Sequence, residues 1–229
     1  MTTTSQRAAI VTGAGSGIGR ATAQRLSAAG IAVALVGRTA ATLEETAAHC
    51  SGATHVIASD LTRDGAAEAV VRETCAQFGG VEILVNNAGQ VRSEPLTAIT
   101  PAALQQMLDA NFIAPALLAI AALPHVSRVV NVTSAATADP FPGLGAYAAA
   151  KSALESITRS IMNEPGARPV HAFSVAPAAV ETAMLRAIVS HDDLPTEAAL
   201  TPDEVAEVIV ACAMGQRDDD AGTIIRLAR

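Results

Sequence analysis

Short apolar runs alternate with longer stretches of helical periodicity along the whole chain. "AAIVTG" (8–13) reads as a strand, and Ile18–Ala29 as a helix stopped by Gly30. The same alternation predicts strands over 31–37, 54–60, 81–89, 128–134, 170–177 and 222–228. Between them it predicts helices over 40–49, 64–77, 101–122, 147–164 and 202–213. The 101–122 helix has Thr100 as its N-cap and Pro101 at its first position. The strand runs are apolar throughout and do not alternate, which marks strands buried on both faces of a parallel sheet. Repeated β–α units of this kind predict an α/β fold: a Rossmann-type, doubly wound parallel sheet of about seven strands, helices on both faces. No repeat or linker divides the chain, so residues 1–229 read as one dinucleotide-binding and catalytic domain.

Composition narrows the classes. Half the 229 residues are apolar, yet there are four Phe, one Tyr and no Trp, so the core is aliphatic. A net charge of −7 excludes the electrostatic footprint of a nucleic-acid binder or an anionic-membrane anchor. The apolar run Phe112–Pro124 is too short to span a bilayer and reads as a buried helix. The N-terminus shows no secretory h-region. The three cysteines are scattered, as expected of reduced thiols in a cytoplasmic protein. Neither they nor the five histidines form a metal-ligand pattern, and the acidic run Asp218–Asp220 reads as a solvated turn.

The first turn brings in chemistry. "VTGAGSGIGR" places Gly13, Ser16, Gly17, Ile18 and Gly19 between a strand and a helix. Glycines there let a pyrophosphate approach backbone N–H groups at the positive end of the helix. At the end of the second strand stand Arg38 and Thr39, with no acid beside them. An acid there holds the ribose 2′-OH of NAD, whereas an arginine accommodates the 2′-phosphate of NADP. The sequence therefore predicts NADP(H) in preference to NAD(H). Asp60 and Leu61 end the third strand. There the carboxylate is placed either to meet the adenine or to cap the next helix.

Tyr147 and Lys151 are the only tyrosine and the only lysine, and they stand one helical turn apart. Every other basic position is one of fourteen arginines. A phenol titrates near pH 10, and a nearby ammonium favours the phenolate, so the pair suits general acid–base work. A single lysine where arginine is the rule points to a compact, rotatable ammonium.

TGxxxGIG at 12–19, "NNAG" at 86–89, Asn111, Ser134 and Tyr147-xxx-Lys151 together resemble the short-chain dehydrogenase/reductase family. The resemblance is to its compact single-domain branch of 3-oxoacyl-carrier-protein reductase-like members. It implies that Tyr147 is the general acid in carbonyl reduction and the base in alcohol oxidation. It implies that Lys151 binds the nicotinamide ribose, that Ser134 binds the substrate oxygen, and that Asn111 helps hold a relay water. Asn87, Ala88 and Gly89 would border the cofactor, as would Pro177, Val180 and Thr182 of "VAPAAVETAM". Ala178 stands where the family usually has glycine, and a positive φ there would strain an alanine. The lid between Thr182 and Thr201 is short, and the chain ends at "IIRLAR" without the usual tail. The expected assembly is thus a homo-oligomer, a dimer pairing through 101–122 and 147–164.

The function these residues predict is NADP(H)-dependent hydride transfer between nicotinamide and a ketone, aldehyde or secondary alcohol. The substrate is a small molecule, expected to be uncharged because Phe141, Leu144 and Met184 dominate the pocket segments. Arg92 and Arg186 are the two cations there that could face a carboxylate or phosphate. The alternative is a catalytically silent NADP-binding regulator or scaffold of the same fold.

Overall fold

The computed structural model describes residues 7–164 and 169–229. The first six residues, the beginning of the stretch in which no leader is read, lie outside the described residues. Seven strands form one sheet: β1 (Ala8–Thr12), β2 (Ala32–Gly37), β3 (Thr54–Ala58), β4 (Ile83–Asn86), β5 (Arg128–Val132), β6 (His171–Pro177) and β7 (Ile224–Leu227). Their spatial order is β3-β2-β1-β4-β5-β6-β7, and every pairing is parallel. The helices are α1 (Gly17–Ala28), α2 (Ala40–Ala48), α3 (Ala66–Phe78), α4 (Pro101–Leu108), α5 (Ala114–Ala122), α6 (Gly145–Asn163), α7 (Ala183–Arg186) and α8 (Pro202–Ala213). Each expected strand and helix is present, with ends shifted by a few residues.

The unbroken apolar runs are explained by two cores. Ala9, Val11, Val33, Leu35, Ile83 and Val85 face a cluster completed by Leu26 of α1, Leu43 of α2 and Ile209 of α8. Their chain neighbours Ile10, Ala34, Val36 and Leu84 face the other cluster, built with Val70 of α3 and Leu118 of α5. Alternate residues of one strand therefore feed opposite cores, and every position must be apolar. The edge strand β3 escapes the rule: most of its residues are only half-buried.

The 101–122 helix is capped as expected, the Ala103 amide donating to Thr100 Oγ1 at 3.2 Å. It is not regular. A π segment, Asp109–Ile113, separates α4 from α5. Pro115 has no amide hydrogen to offer the Asn111 carbonyl, and its ring crowds that carbonyl, so the normal ladder fails there. The expectation of a buried helix is corrected on one face: Leu117 and Ile120 are 48 and 58 % exposed. The whole helix is long and apolar enough to cross a membrane by composition, yet it is 44 % buried within this fold.

The acidic run Asp218–Asp220 is a short 3-10 turn before β7 with Asp218 and Asp219 exposed, as expected, and Asp218 also works as an anchor. Arg128 Nη1 donates to Asp218 Oδ1 at 2.6 Å and to the Cys212 carbonyl at 3.0 Å, tying β5 to the end of α8. Ala178 carries no strain, because no described residue other than glycine has a positive φ. Its amide donates to the Leu227 carbonyl at 2.8 Å and extends the β6–β7 ladder.

Candidate active site

A cleft of about 1490 Å3 opens at the carboxyl ends of the strands, across the point where strand order reverses between β1 and β4. The cofactor and catalytic residues named from the sequence line it, except Gly19, which is buried in the turn beneath, whereas Arg92 and Arg186 do not line it.

One end of the cleft is the glycine turn. Gly13 and Gly17 have φ of +65° and +52°, a region that L side chains rarely adopt. A Cβ on Gly19 would run into the Gly13 carbonyl oxygen, and one on Gly17 would lie 3.1 Å from Thr182 Cγ2. The turn is thus a cradle that side chains would fill, and it touches the lid segment. Its back is held by residues that the sequence reading missed. Arg20 Nη2 donates to the Gly15 carbonyl at 2.6 Å, and Thr46 Oγ1 donates to the Ala14 carbonyl at 2.9 Å. Only their position relative to the motif could have signalled this.

The neighbouring loop is locked to the same turn. Thr12 Oγ1 accepts from the amides of Asn87 and Ala88, both at 2.9 Å, and Asn87 Nδ2 donates to the Thr12 carbonyl at 2.9 Å. Arg38 and Thr39 are exposed on the cleft wall, and Arg38 forms no salt bridge among the described residues. Asp60 Oδ1 accepts from the amide and hydroxyl of Thr62 at 3.1 and 2.8 Å, which hold its carboxyl below the usual range. Asp60 therefore holds its own turn while lining the cleft beside Leu61, and it does not cap the next helix, whose N-cap is Gly65. Pro177 ends β6, Val180 bridges to Leu200, and Thr182 Oγ1 accepts from the Leu185 amide at 3.2 Å, capping α7.

The other end gathers Ser134, Tyr147, Lys151 and Asn111. Ser134 leaves the end of β5, and its hydroxyl accepts from the Ala136 amide at 3.2 Å. That leaves the hydroxyl hydrogen free to donate, and Ser134 acts on the Tyr147 phenol by lowering its pKa. Lys151 Nζ lies 5.9 Å from the Tyr147 ring centre and donates to the Val132 carbonyl at 2.8 Å. Among the protein's own groups, burial outweighs the expected lowering of the phenol. Burial raises the Tyr147 pKa, Ser134 opposing it, and lowers that of Lys151 from 10.5 to about 8.

Asn111 is fully buried in the π segment. Its Nδ2 donates to the carbonyls of Gln90 at 2.9 Å and Met107 at 3.0 Å, and its Oδ1 accepts from the Gln90 amide at 3.1 Å. A Cβ on Gly89 would lie 2.6 Å from that oxygen, so the loop after β4 is pressed onto Asn111. Both amide hydrogens are engaged.

The arginines read as possible anion receptors are both paired within the chain. Arg92 Nε lies 3.2 Å from Glu94 Oε2, and Arg186 is bidentate on Glu181. Arg186 also donates to the Ser190 and Leu194 carbonyls at 3.1 and 2.8 Å, which folds the short lid.

Comparison with known proteins agrees with this arrangement. Residues 7–193 match the family model described as short chain dehydrogenase. An uncharacterized oxidoreductase of Mycobacterium bovis is 33 % identical over 213 residues, covering 87 % of this chain. This chain spans only 62 % of that relative's length. An uncharacterized oxidoreductase of Staphylococcus aureus is 30 % identical over 216 residues, 92 % of each chain. The crystal structure of a short chain dehydrogenase from Burkholderia cenocepacia in complex with NADP superposes with a TM-score of 0.90 at 28 % identity, covering 98 % of this chain and 97 % of that one. A parallel seven-stranded sheet, a glycine cradle at its switch point, and this match over most of its length place the chain in the short-chain dehydrogenase family of oxidoreductases.

Proposed function

We propose that the protein is an NADP(H)-dependent oxidoreductase of uncharged ketones or aldehydes and the matching secondary alcohols, with Tyr147 as general acid and base. The observation that carries this reading is the convergence of Ser134, Tyr147 and Lys151 in one cleft whose far end is a glycine cradle. The backbone at Gly13–Gly19 suits a pyrophosphate. Unpaired Arg38 suits a 2′-phosphate, with Thr39, Asp60 and Leu61 beside it and Asn87–Gly89 along the middle. Pro177, Val180 and Thr182 border the nicotinamide end. The bound nicotinamide supplies hydride exchange with carbon.

The side chains move and hold the proton. Ser134 has one hydrogen to donate to a carbonyl oxygen, and burial keeps the Tyr147 phenol protonated at neutral pH, ready to give its proton to that oxygen. In the reverse direction Tyr147 accepts the alcohol proton. Lys151 sits below it and stabilises the transient phenolate. The substrate end is walled by Phe141, Leu144, Met184 and Ile188, with carboxylates at Asp139 and Asp193. With Arg92 and Arg186 paired, nothing there favours an anionic substrate. The assembly we propose is a dimer formed over the exposed apolar row Leu104, Ile113, Leu117 and Ile120.

Fluorescence titration with NADPH and NADH, followed by a carbonyl panel, tests the reading. NADPH should bind at least about tenfold more tightly than NADH, and Arg38→Asp should remove that preference. Tyr147→Phe should bind NADPH as before while losing about a hundredfold or more in turnover. Equal binding of both cofactors would remove Arg38 from the phosphate. Turnover retained by Tyr147→Phe would remove the tyrosine from proton transfer.

A further inference from the structure

Glu155 is a buried carboxylate on α6, one helical turn beyond Lys151, and 6 % exposed. The chemistry above does not use it, and no arginine or lysine forms a salt bridge with it among the described residues. Its partner is Thr137, whose Oγ1 lies 2.8 Å from Glu155 Oε1. The same hydroxyl oxygen lies 2.9 Å from the Ser134 main-chain carbonyl. The Thr137 amide also donates to that carbonyl, at 3.1 Å. The residues between, Ala135–Thr137, form a single 3-10 turn that hangs from Ser134. That turn supplies the Ala136 amide which holds the Ser134 hydroxyl.

We propose that Glu155 is a positioning residue for Ser134, acting through Thr137 to fasten the turn behind Ser134 to the helix that carries Tyr147 and Lys151. The turn begins three residues beyond Val132, the last residue of β5, and after its buried Ala136 and half-buried Thr137 the chain is exposed from Ala138 to Phe141. Without a tie, the Ser134 hydroxyl keeps its place relative to β5 only, while Tyr147 moves with α6. A carboxylate is a strong acceptor for the Thr137 hydroxyl and is long enough to reach it from the helix. Misplacement of a hydrogen-bonding group by a fraction of an ångström is costly in an oriented site. The cost of burying an acid there is thus set against the registry of two catalytic elements.

The inference rests on the proposed role of Ser134, and the test separates the two. Turnover and NADPH binding are measured for Glu155→Ala, Glu155→Gln, Thr137→Val and Ser134→Ala, and for Glu155→Ala combined with Ser134→Ala. Glu155→Ala and Thr137→Val should each lower kcat by about tenfold with NADPH affinity unchanged. Glu155→Gln keeps a carbonyl acceptor and should stay within about threefold of wild type. In the Ser134→Ala background, Glu155→Ala should add less than about twofold, because its route is already cut.

A second readout needs no turnover. The chain has one tyrosine and no tryptophan, so ultraviolet difference absorbance follows Tyr147 alone. Ser134 restrains the rise of the phenol pKa, so Glu155→Ala should raise it as Ser134→Ala does, and Glu155→Gln should not. If Glu155→Ala does not fold, Thr137→Val and Glu155→Gln decide by the same criteria. An undiminished kcat in Glu155→Ala or Thr137→Val overturns the inference, as does a full additional loss in the Ser134→Ala background. If Ser134→Ala itself turns over like wild type, the functional reading of Ser134 fails instead.

Discussion

Tyr147 and Lys151 are both pushed by burial toward their neutral forms, and the two contribute oppositely to stability. The Lys151 ammonium is charged at neutral pH in folded and unfolded chain alike, so the folded state bears its desolvation. A drop from 10.5 to about 8 corresponds to about 3 kcal/mol. Between about 8 and 10.5 the folded chain releases the proton first, the unfolded chain binds more, and stability rises with pH. Tyr147 acts the other way: its folded pKa lies above 10, so the unfolded chain ionises first and stability falls once pH passes that value. Lys151→Met should therefore stabilise the cofactor-free protein by about 2–3 kcal/mol at neutral pH, while abolishing turnover. The gain should vanish as pH approaches the unfolded lysine value. Denaturant melts of both proteins across that range check it, and a variant less stable than wild type at neutral pH would contradict it.

Among elements, the sheet's far end is where one residue joins most parts. Arg128 begins β5, pairs with Asp218 through two hydrogen bonds and reaches the last turn of α8. The Arg128 guanidinium holds the Asp218 carboxyl below its usual range, so the pair contributes above that range and is lost as acid protonates Asp218. Arg128→Met should lower stability by about 1–2 kcal/mol at neutral pH, with the deficit shrinking under acid conditions. Thermal melts at both pH values read this, and an unchanged Tm at neutral pH would show that the pair is only decorative. The cleft lies at the opposite ends of the strands, so cofactor binding should not change. The helix break at Asp109–Ile113 is the complementary case, a local irregularity placed at the site itself. It turns Asn111 inward onto the Gln90 loop, as a side chain at a π segment often serves a functional site.

For the molecule as a whole, the long helix leaves an unpartnered apolar row. Ile113, Leu117 and Ile120 recur at helical spacing, and they and Leu104 are each more than a third exposed. A charge there costs little in a monomer but much in an interface core. Leu117→Asp combined with Ile120→Asp should convert a dimer to a folded monomer in light scattering, with the melting profile still cooperative. A wild type that is monomeric at micromolar concentration would remove the dimer.

The elements and the candidate site were legible in the sequence alone. Apolar runs without alternation required strands buried twice, and glycines between a strand and a helix required a close-approach turn. A lone Tyr and lone Lys one turn apart had to share a helix face. These are local properties, fixed by backbone stereochemistry and periodicity. Only the tertiary structure decided what each polar group spends its hydrogen bonds on. Asp60 looked equally suited to adenine and to capping, and Thr62 takes one of its oxygens. Arg92 and Arg186 looked like free cations, and Glu94 and Glu181 neutralise them. Asp218 is solvated as expected, and Arg128, ninety residues away, pairs with it as well. The Tyr147 pKa was expected below its usual value, and burial raises it, which depends on how α6 packs on β5. A distant partner such as Asp218 for Arg128, and the depth of burial, leave no periodic trace because they arise only when separate elements meet, and the local pairs depend on loop geometry that no periodicity sets.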